Sequence, residues 1–390
     1  MRKIGVVSVA RSDCGIYRPL LRKIEAEPDL QLYLIVTGMH LSPEFGLTVN
    51  DIKADGIKIA DHVEMLLSSD SPEGTAKSIG LGAIGFSQIF SRTKLDMIVV
   101  LGDRFEMFSA AIAALPFKIP VMHIHGGEVT EGAIDDALRH SITKLSHIHC
   151  VSTPEYARRV RQLGEDPWRI KVTGAPSLDN LNTVSLLKAN DLAQKFNLDL
   201  SPPPVLVTFH PVTLEYEQTE SHIVELLAAL EEIKVPIIFT MPNADTKGRT
   251  IFRLLNGFIE HHKNSRIIKN FGTQGYFSLM SLASLMVGNS SSGIIEAASF
   301  ELPVVNIGIR QRGRVKGANI IDVDTDRKSI QEGIQKALRP KFRSTLKGLT
   351  NPYGTGRASD AIVDILKNIP IDDGLIIKRF CDMGSVSRNG

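Results

Sequence analysis

Between His123 and His140 the chain reads HIHGGEVTEGAIDDALRH, with three histidines, two glutamates and two aspartates in eighteen residues. Such a set can ligate a metal, exchange protons with a substrate, or decorate a turn and a surface helix. His123 and His125 are two apart, so on a strand their side chains share one face. Glu128 stands close enough in sequence to add a third ligand. No HExxH pattern accompanies them, so no catalytic metal is expected. His123 reads as core-facing; His125, nearer the strand end, reads as a ligand contact. Gly126 and Gly127 permit a sharp exit from the strand and leave Glu128 at the turn. Asp135 and Asp136 are adjacent and leave a helix in different directions, so at most one faces the chemistry squarely. Arg139 and His140 can steady that helix or orient one acid.

Residues of similar chemistry stand where other apolar runs end. VVSVARSD presents Arg11, whose planar five-donor fork suits a phosphate or a surface carboxylate. VVLGDRFE presents Asp103, either the N-cap of the next helix or a carboxylate turned to a ligand. VTFHPVT presents His210, which can contact a phosphate or donate a proton near neutral pH. In MVGNSSSGIIEAASF, Gly288 to Gly293 form a turn carrying Ser290, Ser291 and Ser292, with a helix expected from Ile294. Free backbone N–H groups and hydroxyls there make an anion site. Glu296 then falls in the helix's first turn, as a favourable charge or as an acceptor for two ribose hydroxyls. Arg310, Arg312 and Arg314 follow the next apolar run; beside the serine turn, a phosphate ligand explains them better than a solvated face. The stretch VVSVARSDCGIYRPL holds neither GxGxxG nor GxxxxGK[ST], which argues against a conventional dinucleotide fold and an ATP-type P-loop there.

Parallel sheets are the elements that would position these groups. KIGVVSVA, LQLYLIVTG, LDMIVVLGD, PVMHIHGG, HIHCVST and IKVTGAP are short Val/Ile-rich runs separated by helical patterns. After a polar helical stretch and Ser201–Pro204, a second series follows: PVLVTFHP, VPIIFTMP, SRIIKNF, SLMVGNS, LPVVNIG and NIIDVD. The expected organisation is an N-terminal α/β domain over 1–175, a linker helix and proline-rich connection over 176–200, and a second α/β domain over 201–350. A C-terminal helix over 351–369 and a tail over 370–390, its end expected to fray, complete it. Ligands of open α/β sheets bind beyond the carboxyl ends of the strands, so an interdomain cleft is the expected site. A length of 390 residues suits two domains. The formal net charge of +2 and the lack of a basic block leave no case for nucleic acid. Three cysteines form no CxxC and cannot close a complete disulfide set, so a cytoplasmic location is expected. The apolar run in MRKIGVVSVARSD is too short for a signal peptide or a membrane span.

Taken in order, ARSD, LGDRFE, HIHGGEVTEGAIDDALRH, TFHPVT, NSSSGIIEA, NIGIRQRGR and YGTGRASDAI resemble the hydrolysing UDP-N-acetylglucosamine 2-epimerases, over nearly the whole chain. The resemblance is to the branch serving biosynthesis of sialic and legionaminic acids. It implies two Rossmann-like domains in a glycosyltransferase-B-type arrangement, a homodimer or homotetramer, and no cofactor. It implies elimination of UDP with loss of the C2 proton, a 2-acetamidoglucal intermediate, and water addition with proton return to the opposite face. On this resemblance Asp103, Glu128, Asp136 and His210 are the catalytic residues, with Asp103 or Glu128 as the C2 base and Asp135 a close competitor of Asp136. Arg11, His125, Asp135, Ser290, Ser291, Ser292, Glu296 and Arg310 contact substrate or nucleotide. The expected substrate is UDP-N-acetylglucosamine, giving N-acetylmannosamine and UDP; UDP-N,N'-diacetylbacillosamine is the alternative. His40, Glu44 and the Ser68–Ser71 loop are candidates to approach C4 and C6. A glycosyltransferase and a nonenzymatic nucleotide-sugar sensor share the same nucleotide contacts and stay open as other functions.

Overall fold

The computed structural model describes residues 1–67, 71–130, 134–212, 217–241 and 248–382. Among these, the chain folds as two compact units. The first comprises Met1–Glu128, Ile134–Asp179 and the stretch beginning at Tyr353; the second is mainly Asn180–Pro352.

In the first unit β1 (Arg2–Ser8), β2 (Leu30–Thr37), β3 (Ile59–Val63), β4 (Met97–Leu101), β5 (Val121–Ile124), β6 (Ile148–Val151) and β7 (Ile170–Val172) form one sheet in the order β3-β2-β1-β4-β5-β6-β7. In the second, β8 (Val205–Thr208), β9 (Ile237–Thr240), β10 (Ser265–Ile268), β11 (Leu285–Gly288), β12 (Val304–Ile307) and β13 (Ile320–Val323) follow the order β10-β9-β8-β11-β12-β13. Every pairing is parallel. Both sheets thus have the Rossmann-like character that the Val/Ile-rich runs indicated.

Why the runs are unbroken is visible in β8. Val205 and Val207 pack into one core, with Ile223, Leu226 and Leu230 of the helix Thr219–Leu230. Leu206 packs into the other, with Phe277 and Leu279 of the helix Gly272–Leu282. Alternate residues reach opposite faces and helices cover both, so every position of the strand is buried.

The segment 176–200 is not a separate linker. Pro176–Asp179 belongs to the first unit, and the helix Ala189–Phe196 buries Leu192 in a core of the second. The chain re-enters the first unit at Tyr353. There both Asp179 carboxylate oxygens accept backbone N–H groups, of Ala358 at 2.9 Å and Ser359 at 2.6 Å, and so cap the helix Ala358–Asn368. Ile362 and Leu366 of that helix join the first unit's core.

Residues 370–382, the described part of the tail, are tied to the first unit; the tail's end, expected to fray, lies outside the described residues. Arg169, almost wholly buried, donates to the carbonyls of Leu375 and Gly374, both at 2.8 Å, and of Ile377 at 3.1 Å. Lys378 reaches Glu165 at 2.8 Å, and the N–H of Cys381 donates to the Gly164 carbonyl at 2.9 Å. Buried carbonyls require donors, and one arginine supplies three here. No helix among the described residues is long and apolar enough to cross a membrane.

Candidate active site

β4 leaves its sheet at Gly102, whose φ of 71° turns the chain as Gly allows. Asp103 follows, but does not cap the next helix: Phe105–Ala114 has Arg104 at its N-cap and no side-chain cap bond. Instead Asp103 is ion-paired with Arg139. The same guanidinium donates to the His125 carbonyl at 3.0 Å. Arg139 is itself buried, so it fixes the exit of β4 against that of β5.

His123 is a core residue, as its sequence position suggested. Its Nδ1 faces Thr143 Oγ1 at 3.1 Å and its Nε2 the Gly102 carbonyl at 2.7 Å. Burial pushes the imidazole down to about 3, so it is a neutral cross-link. His125 does not share its strand face. β5 ends at Ile124, and His125 takes a φ of 64°, in the left-handed region. For a non-glycine residue this costs about 1 kcal/mol or more. The turn aims its Nδ1 at Glu128 Oε1, 2.6 Å away, and the Ser152 hydroxyl donates to the same oxygen at 2.8 Å. Glu128 is only 2% exposed. Gly127 is obligatory here: a Cβ would stand 2.5 Å from the Tyr156 carbonyl oxygen.

Asp135 and Asp136 open the helix Ile134–Leu145 and separate as expected. Asp136 lies 3.5 Å from His140, one turn on. Asp135 is pushed up to about 6, first by burial and then by the charge of Asp103, against the pull of Arg104 and Arg139. Of the two, Asp135 is therefore the one in the field of Asp103, although sequence reasoning had ranked Asp136 first.

Beside this cluster stand residues that sequence reasoning missed. Glu106, fully buried, takes both Arg104 Nε and Nη2 at 3.4 Å. Asp13, in the helix Arg11–Ala26, is pushed up to about 6 by burial, with Arg104 opposing. The LGDRFE and ARSD motifs contained these residues, and the acid–Arg–acid alternation was the available signal. Arg11 is exposed at the start of that helix. His40 cannot approach a sugar: it is fully buried, between Ser8 at 2.9 Å and Thr48 at 2.8 Å. Glu44 is exposed in the turn Pro43–Phe45. Of the Ser68–Ser71 loop only Ser71 lies within the described residues, and its hydroxyl caps the helix Pro72–Arg92. Among the described residues no set of three or more His, Cys, Asp or Glu side chains is placed to hold a metal ion.

In the second unit Asn289 organises the site. Its side chain accepts from the His210 N–H at 2.7 Å and donates to the His210 carbonyl at 2.8 Å. Its carbonyl accepts from Arg310 at 3.0 Å and Gln311 at 2.9 Å. The exits of β8, β11 and β12 are tied together through this one residue, which the GNSSSG string offered but its serines overshadowed. Burial, and then Arg310, push His210 down to about 3, so at neutral pH it is an uncharged donor or acceptor rather than a cation. The helix here starts at Ser291 rather than Ile294, with Ser290 as N-cap, and ends at Ile295. Glu296 is accordingly the C-cap and does not lie in the first turn. The serines stand at the start of this helix; Glu296 is 8% exposed.

A family model described as UDP-N-acetylglucosamine 2-epimerase matches residues 22–367. The chain belongs to that family. It is 39% identical over 98% of its length to a protein of Campylobacter jejuni serotype O:2 named GDP/UDP-N,N'-diacetylbacillosamine 2-epimerase (hydrolyzing), covering 99% of that protein. A Legionella pneumophila protein named UDP-N,N'-diacetylbacillosamine 2-epimerase (hydrolyzing) is 37% identical over 97% of this chain and 99% of its own. The fold matches a crystal structure of Neisseria meningitidis UDP-GlcNAc 2-epimerase bound to UDP-GlcNAc, with a TM-score of 0.82 at 19% identity, over 94% of this chain and 99% of that one.

Proposed function

We propose that this member of the epimerase family hydrolyses a UDP-linked 2-acetamido sugar with inversion at C2, releasing UDP and the free epimer. The observation that carries the reading is a carboxyl group whose pKa is raised in the field of a second carboxylate that is ion-paired. Asp103 is ion-paired to Arg139, while Asp135 in its field is pushed up to about 6 by burial and by Asp103. An acid and a base at one site, set by environment, are what removal of one proton and return of another require. The C2 proton is weakly acidic, so its base must be aligned. Asp103 is held in one geometry by Arg139, and Glu128 by His125 and Ser152. Asp135 is the acid that returns the proton to C2. The second unit contributes the diphosphate contacts, through Ser290, Ser291, Ser292 and Arg310, with His210 as a neutral hydrogen-bonding group; Glu296 takes the ribose hydroxyls.

For the sugar, the names of the two relatives at 39% and 37% identity favour UDP-N,N'-diacetylbacillosamine over UDP-N-acetylglucosamine, reversing the order of the sequence reading. The family description keeps UDP-N-acetylglucosamine as the second reading. A homodimer or homotetramer is the assembly implied, and light scattering checks it. The enzymatic test is incubation of both UDP-sugars in D₂O, without acceptor. Release of UDP and of a 2-epimer carrying deuterium at C2 is expected. Release of UDP with C2 configuration retained, or only when an acceptor is added, overturns the proposal.

A further inference from the structure

The serine turn is not isolated. Tyr276, in the helix Gly272–Leu282, places its phenol oxygen 2.7 Å from Ser292 Oγ. Ser292 Oγ in turn lies 3.0 Å from Ser290 Oγ. Tyr276, Ser292 and Ser290 are thus one continuous row of hydroxyls that ends at the turn.

A serine hydroxyl has one proton and two lone pairs. Ser290 Oγ accepts the Ser292 backbone N–H at 3.3 Å, which occupies one lone pair. When the row points from Tyr276 toward Ser290, Ser292 Oγ–H occupies the second. Ser290 is then left with its proton to give, and it becomes a donor. When the row points the other way, Ser290 spends its proton on Ser292 and turns a lone pair outward, which repels an anion. Ser292 is the hydroxyl within hydrogen-bond distance of the phenol, and a phenol is a better donor than an aliphatic hydroxyl, so Tyr276 gives its proton to Ser292. Donation along such a row polarises each following hydroxyl. Burial pushes the phenol up to about 12, so it keeps that proton throughout the neutral range.

We propose that Tyr276 is a positioning residue for the diphosphate: acting through Ser292, it sets the Ser290 hydroxyl as a donor to a phosphate oxygen. This rests on the reading of the serine turn as a diphosphate site. Nothing in the composition of the helix signals it, since the link is made only by folding.

Calorimetry with UDP and with uridine, on the wild type, Tyr276→Phe, Ser290→Ala and the double variant, tests it. Tyr276→Phe keeps the ring and removes the donor. It is expected to weaken UDP roughly three- to tenfold and leave uridine unchanged. Ser290→Ala is expected to weaken UDP at least as much, and the double variant no further than Ser290→Ala, because the two act through one bond. Additive losses, equal losses for UDP and uridine, or unchanged UDP affinity in Tyr276→Phe overturn the role of Tyr276. Unchanged UDP affinity in Ser290→Ala instead overturns the diphosphate reading beneath it. Should Tyr276→Phe not fold, 3-fluorotyrosine placed at 276 gives the opposite sign: the more acidic phenol tightens UDP, and unchanged or weaker binding refutes the proposal.

Discussion

Substituting Gly288 by alanine should collapse the nucleotide unit. Gly288 ends β11 opposite Thr208 of β8 and takes a φ of 137°, which L residues rarely adopt. A Cβ built there stands 1.9 Å from the Thr208 carbonyl oxygen and 2.7 Å from its carbon. Both atoms are backbone, so no rotamer change relieves the overlap; one strand must move by about 1 Å or more. That movement breaks the bond from the Asn289 N–H to the same oxygen, 3.1 Å long. Backbone strain costs about 1–3 kcal/mol, and a lost buried hydrogen bond about 1–3 kcal/mol. The expected loss is about 3–5 kcal/mol, a large part of a typical domain's stability. Urea denaturation followed by circular dichroism measures it, and calorimetry should show UDP affinity falling with it, because Asn289 links His210 and Arg310. A useful contrast is Gly257→Ala in the helix Gly248–His261, where a Cβ meets nothing within 4 Å; it should gain up to about 1 kcal/mol. A Gly288→Ala protein that loses less than about 1 kcal/mol and binds UDP normally would refute the reasoning.

Arg139→Met should lower kcat/KM by about 10²–10³-fold with UDP affinity kept, since it frees Asp103 without touching the second unit; steady-state kinetics beside calorimetry checks this. Asp135, at about 6, should place a limb in the pH profile of kcat/KM, with activity falling as pH rises through that value because the acid loses its proton. Asp103→Asn should move the Asp135 titration down toward the usual carboxylate range, as seen by carbon NMR of labelled aspartate. Because its folded pKa is raised, Asp135 adds stability that is full below about 4 and lost as pH rises through about 6. Glu165 has the reverse sign. Burial opposes its charge, but bonds from His149, Lys144 and Lys378 prevail and hold it at about 2. Its contribution is present above about 4.5 and lost as pH falls toward 2. Glu165→Gln should cost about 2–4 kcal/mol and expose the segment near Lys378 to limited proteolysis at neutral pH.

Strands were the most legible part of the sequence, because burial on both faces leaves uninterrupted apolar runs such as MIVVL. The groups at their ends were legible for the same reason: a polar residue straight after such a run has little choice but the carboxyl edge of the sheet. Local geometry was not. His125 looked like the partner of His123 on one strand face, and only its left-handed φ sends it to Glu128. The order of Asp135 and Asp136 turned on the position of Asp103, which lies more than thirty residues away in sequence. Asn289, Arg139 and Tyr276 act by tying together elements distant in the chain, and no spacing rule reports that. The amphipathic pattern of Ala358–Asn368 announced a helix, yet contained no information on which of two cores would receive it.

That last helix has a consequence for how the protein is made. The ribosome delivers the strands of the first unit first and the second unit after them. The residues that complete the first core, Ile362 and Leu366, emerge only afterwards. Until then the newborn first half must wait with the groove for that helix uncovered, and with Asp179 lacking the N–H groups of Ala358 and Ser359. A premature stop between Pro352 and Ile362 therefore spares the second unit and strikes the first, so the damage appears at the end of the molecule that was synthesised earliest.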